Sequence, residues 1–285
     1  MKKVLIGFVF LLAFIPLNAS TIKGRCINEE GNPVEYAMIG IEGVNMGMVA
    51  DRQGYFTLNI PDSLQGYRLV FSHISYNPES FLISDLLEKY ERAVASGSIL
   101  TVELSKYIFA IEPVVVTGKK LRLTNINSRG IRIPAGWWWH VLPWLSESNQ
   151  PDSRNQEFGI MTELKGRTWV RRIELDVQSN SFDTMVLQLS MYKIDGDDYV
   201  PLMQAPYYLK ISRNEAKQNY TCDLSDFNIV AEGSVYIGMV IVEESAKGQL
   251  VMPAYFSSSY FRNMSTGLVK KNSISMGLLI KGMKL

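Results

Sequence analysis

The sequence predicts an all-β protein of two consecutive β-sandwiches, with one short helix near residues 85–96. Three observations predict this. Short runs that alternate apolar and polar residues recur along the chain, as half-buried strands require. In the first third, Gly, Pro, Asn or Asp interrupts those runs every ~8–12 residues, the turn spacing of a sandwich. Hydrophobic residues fill 47% of the 285 positions, which supports real cores.

The first twenty residues differ from the rest. Lys2 and Lys3 precede an apolar run from Val4 to Pro16, and "LNAS" follows with small residues. A charged start, a short apolar core and a small residue at the cut describe a secretory signal peptide over residues 1–20. An uncharged run of about 18 residues or more would suit a membrane span. None is expected in the mature chain, which is therefore placed outside the cytoplasm, in the periplasm or at the outer membrane or cell surface. About 265 residues remain, room for two domains. The formal charge of +1 offers no basic surplus for nucleic acid. Cys26 and Cys222 are the two cysteines, expected as separate buried thiols in different domains rather than a disulfide framework.

The first domain is expected over residues 21–118. "TIKGRCI" carries Ile22 and Cys26 on one face, and "NEEGNPVE" supplies a turn at Gly31–Pro33. "YAMIGIEG" places Ala37, Ile39 and Ile41 inward, "FTLNI" places Phe56, Leu58 and Ile60 inward, and "YRLVFS" does so with Tyr67, Leu69 and Phe71. Between two of these runs, "DRQG" has the chemistry of a tight connection. An Asp side chain accepts backbone N–H bonds just ahead of it, and a Gly supplies a positive φ. Asp51 and Gly54 are thus read as turn-makers. A catalytic Asp51 would want a base, a nucleophile or metal ligands nearby, and this half shows none. In "SDLLEKYERAVASG", Asp85 and Glu88 fit a capping box, Leu86, Tyr90, Ala93 and Val94 form a helical stripe, and Gly97 can end it.

The ordered set Gly24, Gly31–Pro33, Ala37, Gly47, Asp51, Gly54, Phe56 and "FSHISY" ending in Tyr76 resembles the carboxypeptidase-regulatory-like domain of Bacteroidetes envelope proteins. The resemblance implies a small transthyretin-like β-sandwich with an accessory, non-catalytic role. It also draws attention to "IEPVVVTGKK". In TonB-linked outer-membrane receptors a similar Val-rich stretch follows this domain, near the segment that pairs with TonB. Val114, Val115 and Val116 are accordingly a candidate partner strand, since strand addition works through main-chain bonds. The alternative is that they close the first sandwich. The remaining ~165 residues are too few for a receptor barrel, whose strands take about 9–11 residues each plus turns.

Residues 119–150 are read as a basic linker and a Trp-rich segment, and 151–285 as a jelly-roll-like sandwich. The runs "FGIMTEL", "WVRRIELDV", "TMVLQLSMYKI", "YYLKI", "YTCDL", "SVYIGMVIVE", "LVMPAYFS" and "ISMGLLIKGM" supply about eight or nine strands. Met185, Leu187, Leu189 and Met191 share one face, and "SVYIGMVIVE" is apolar on both faces, as a central strand would be. This half resembles C-terminal domains of similar envelope proteins only in strand order and in "DLSDFNIVAEGSVYIGM".

Candidate chemistry is sparse. Trp137, Trp138, Trp139 and Trp144 lie within "PAGWWWHVLPW", where exposed indoles would offer a stacking platform for sugars. Buried, they would plug a seam or cap the second domain. Asp195, Asp197 and Asp198 in "IDGDDYV" read as a hairpin turn rather than a calcium loop. Glu243 and Glu244 directly follow a strand, so they point to opposite faces and do not form a working carboxylate pair. No catalytic residue, metal ligand or cofactor is expected. The expectation is an exported adaptor with a recognition domain for a glycan or an outer-membrane protein. Two alternatives stand beside it: a hydrolase using His140 with Glu157 or Asp152, and an accessory subunit docking on a TonB-linked complex.

Overall fold

The computed structural model describes residues 19–109, 121–134, 156–245, 248–263 and 267–285. Strand dominates both halves. The first contains β1 (Ala19–Asn28), β2 (Met38–Ile41), β3 (Gly47–Val49), β4 (Tyr55–Pro61), β5 (Arg68–His73), β6 (Tyr76–Leu82), α1 (Ile83–Ala95) and β7 (Leu100–Leu104). Two sheets of order β4-β1-β7 and β3-β2-β5-β6 enclose one core. β1 runs antiparallel to β4 and parallel to β7.

The alternation works here as it should in a two-layer sandwich. Ile22, Cys26, Ile39, Ile41, Ile60, Leu69 and Phe71 have no exposed surface. Phe56 packs edge-on against Phe71 at 5.4 Å. Gly24 is needed where β1 passes over Phe56, because a Cβ there would overlap the ring and the Leu100 carbonyl. Tyr67 departs from the expected inward set. It precedes β5 and is 45% exposed.

Helix α1 starts three residues earlier than the capping-box pattern predicts. Leu82 occupies the N-cap without a side-chain bond, so Asp85 falls within the first turn and contributes only through the helix dipole. Ile83 and Leu86 carry the buried stripe, whereas Val94 is 57% exposed. The C-terminus behaves as Gly97 suggests. Its φ of 70° lets its own N–H reach the Val94 carbonyl and the Ser98 N–H reach that of Ala93, a Schellman closure.

The second half contains β8 (Thr124–Asn125), β9 (Ile131–Arg132), β10 (Gln156–Val177), β11 (Ser179–Asp195), β12 (Asp198–Pro201), β13 (Tyr207–Asn214), β14 (Gln218–Asp223), β15 (Val230–Glu244), β16 (Leu250–Val251), β17 (Tyr255–Asn263), β18 (Val269–Ser275) and β19 (Leu279–Lys284). All twelve join one hydrogen-bonded network with the path β12-β11-β15-β10-β17-β18. "FGIMTEL" and "WVRRIELDV" prove to be one strand. β10 pairs with β17 over its first residues and with β15 up to Leu164, shifts register against β15 before resuming at Thr168, and then pairs also with β19 and β14. Gly166, at φ 85°, sits in that irregularity. Both halves of β10 face one core, which also takes Met185, Leu187, Leu189 and Met191 from β11.

β15 is the central strand that its two-faced apolar sequence implies, flanked by β10 and β11. β8 and β9 fall within the stretch read as linker, yet they pair with β19 and β17 of this sheet. Ionic contacts fix that stretch further. Arg129 Nε donates to the Gly277 carbonyl, and its guanidinium lies 3.7 Å from Asp176. Asp176 also meets Lys217 at 2.9 Å and accepts from the Asn219 amide.

Candidate functional site

The two sandwiches meet along a seam, and the seam explains why β2 is buried on both faces. Ile39 and Ile41 point into the first core, while Met38 points the other way. Met38, Tyr36 and Val49 pack with Val240 of β15, joined by Tyr208 and Val242. Ile74, in the turn between β5 and β6, belongs to the core of the second half. Tyr36 stacks edge-on against Tyr208 at 5.1 Å and donates its hydroxyl to Glu243 at 2.7 Å. Its φ of 55° is a left-handed conformation that a bulky residue adopts only when its surroundings hold it there. Burial, then the Glu243 carboxylate, raise the Tyr36 phenol, so it stays a donor.

Beside the seam lies a cleft of about 440 Å³. One wall comes from the first half, Met48–Asp51 and Tyr55–Thr57. The other is the open end of the second core, with Phe158, Met239, Met252, Phe261 and Met276 among its residues. A bulge in β15 shapes this wall. Leu187 pairs with Ile241 but Val186 pairs with Glu243, so Val242 is the extra residue. Glu243 and Glu244 still pair with residues of opposite faces, Val186 and Met185, but both border the cleft because it opens at the sheet's end.

Asp51 also lines this cleft, although its carboxylate is engaged in the chain reversal. Its Oδ1 accepts from the N–H groups of Gln53 and Tyr55, both at 2.8 Å. Gly54 takes φ 77°, and a Cβ there would run into the Cys26 carbonyl. Asp195 and Asp198 pair across a two-residue hairpin whose Gly196 has φ 62°. Trp137, Trp138, Trp139, Trp144, Val114, Val115, Val116, His140 and Asp152 lie outside the described residues.

The acid proposed for the hydrolase alternative is placed differently from what that chemistry needs. Glu157 has no exposed surface and pairs with Arg262 at 3.1 Å. The guanidinium lies over Tyr192 at 4.5 Å and Tyr199 at 4.4 Å. Gly238 makes the room, since a Cβ there would strike the Glu157 carboxylate. Burial lifts the Glu157 carboxyl above the usual range, opposed by Arg262. Gln188 and Ser190, on β11 across β15 from β10, are buried as well. No sequence pattern marks this group, because its members come from five strands, β10, β11, β12, β15 and β17.

Burial also sets the described thiols and imidazole. It pushes the Cys26 and Cys222 thiols up to about 12 and the His73 imidazole down to about 4. His73 Nδ1 accepts from the Ser75 N–H, and its Nε2 has no partner. Among the described residues no group of three or more His, Cys, Asp or Glu could hold a metal ion, and no helix is long and apolar enough to cross a membrane.

Residues 22–105 match the family model of the CarboxypepD_reg-like domain. The CarboxypepD_reg-like domain thus ends one residue past β7, and its Tyr36, Met38 and Val49 supply its side of the seam. No curated protein matches the chain. Among solved structures, the major pilin subunit of Bacillus cereus is 10% identical, with 94% of this chain and 69% of that one covered at a TM-score of 0.20. The Gx strain of infectious bursal disease virus gives 11% identity, 93% and 62% coverage and a TM-score of 0.23.

Proposed function

We propose that the protein is a non-catalytic, exported adaptor of the cell envelope, in which the CarboxypepD_reg-like domain serves as a fixed mount for a recognition domain. The seam is the observation that supports this reading. Tyr36, Met38, Val49 and Val240 are each at most 6% exposed, and the Tyr36–Glu243 bond ties the two halves together. A mount of this kind holds the second domain at a set orientation rather than on a loose tether. Glu157 counts against the hydrolase alternative, because a substrate has no access to a fully buried carboxylate held by Arg262.

The recognition partner is a glycan stacked on Trp137, Trp138, Trp139 and Trp144, or an outer-membrane protein paired through Val114–Val116. Tryptophan fluorescence across a polysaccharide panel, and co-purification of the full chain with outer-membrane proteins, test the two. A saturable shift lost in Trp138→Ala supports the glycan, and a complex lost in Val115→Asp supports the protein. Absence of both results from a folded protein refutes the recognition role.

A further inference from the structure

We propose that the cleft at the seam binds an elongated apolar molecule with a cationic end group, of the alkylamine or alkylammonium class. The proposal rests on the adaptor reading in one respect: both domains must be docked, because each supplies a wall. Its size, about 440 Å³, falls within the range of about 300–1,000 Å³ seen for small-molecule sites, which favour domain boundaries.

Wall chemistry selects the body of the ligand. Met48, Met239, Met252 and Met276 all line the cleft, together with Phe158 and Phe261. Unbranched thioether side chains adapt to a flexible hydrocarbon more readily than branched residues do. Rim chemistry selects the head. Asp51, Glu243 and Glu244 are in the lining, and no Lys, Arg or His is among its described residues. Glu243 is anchored by the Tyr36 hydroxyl, which keeps one negative charge at a fixed place beside the apolar wall. A carboxylate or phosphate head would meet like charge there, whereas an ammonium gains a partner.

Isothermal titration calorimetry of the full chain with decyltrimethylammonium below its micellar concentration tests this, with decanoate and decyl maltoside as chain-matched controls. Saturable binding of one cation per chain is expected, about tenfold tighter than decanoate. Glu244→Gln should weaken the cation by about threefold. Met48→Trp, at a half-buried position on the wall, should fill the cleft and abolish the heat. Decanoate binding as tightly as the cation overturns the charge assignment, and unchanged heat in Met48→Trp overturns the location. A single cooperative melt without saturable heat from any probe defeats the ligand proposal alone. Separate melting of the two domains defeats the docked arrangement on which it rests.

Discussion

Removing the carboxylate from the Glu157–Arg262 pair should destabilise the protein more than removing both charges together. At 3.1 Å and an effective dielectric of about 20, the attraction is about 5 kcal/mol. Withdrawing two ions from water costs several kcal/mol each, so the pair as a whole contributes little net stability. Breaking it is another matter. Glu157→Gln leaves a guanidinium that is 9% exposed without its counter-charge, at an expected cost of about 3–5 kcal/mol. Arg262→Met strands the carboxylate at a similar cost. Glu157→Leu combined with Arg262→Met should recover most of the loss, since Tyr192, Tyr199 and Tyr236 already form an aromatic surround. Urea unfolding curves compared at constant slope give the three values directly. Additive losses in the double variant, or a Glu157→Gln change below about 0.5 kcal/mol, would refute a buried ionic pair.

Asp51→Ala should lose about 1–2 kcal/mol, because two backbone N–H groups lose their acceptor, whereas Asp51→Asn should stay close to the parent in the same assay. Gly54→Ala forces a side chain into a left-handed backbone against the Cys26 carbonyl and should cost about 2–4 kcal/mol, read as a fall in melting temperature. Tyr36→Phe should weaken the seam by about 1 kcal/mol and raise amide exchange in β2, and unchanged exchange there would argue against the Tyr36–Glu243 bond as a tie. His73 is held neutral with its pKa lowered to about 4, so its contribution is complete above about 6.5 and is lost as pH falls toward 4, in total about 3 kcal/mol. His73→Asn keeps an acceptor for the Ser75 N–H and should flatten that stretch of the pH–stability curve. Asp176 acts in a lower window: burial alone would raise its carboxyl, but Asn219, Lys217 and Arg129 together hold it below the ordinary value. Its contribution is present above about 3.9 and disappears under more acidic conditions, and Asp176→Asn should remove that acid-side loss.

Much of the first domain was legible because its signals are local. The period of two in "FTLNI", the Asx chemistry of Asp51 and the positive φ available to Gly54 and Gly97 each act within a few residues, and each has its structural counterpart. Tyr67 and Val94 were misplaced for a matching reason. Both are apolar enough to extend a stripe, but Tyr67 lies before its strand and Val94 near a helix end, where no partner layer covers them. In the second domain, strand existence was readable, but the continuity of β10 was not. Gly166 and the polar residues around it resemble a turn, and only β15, which pairs with β10 both before and after Gly166, makes the two runs one strand.

Alternation, turn residues and composition by themselves determined the all-β class, most of the inward faces and the chain-reversing role of Asp51, because those depend on neighbours two to four positions away. Which outward faces become buried was decided by tertiary structure alone. Met38 looks like a surface residue of β2 until Val240, two hundred positions on, covers it, and Glu157 looks like an available acid until Arg262 closes over it. Burial is a property of which surfaces meet, and that information is spread over residues far apart in the chain. The cleft exists for the same reason: neither sandwich contains it, and it forms where the two leave a gap.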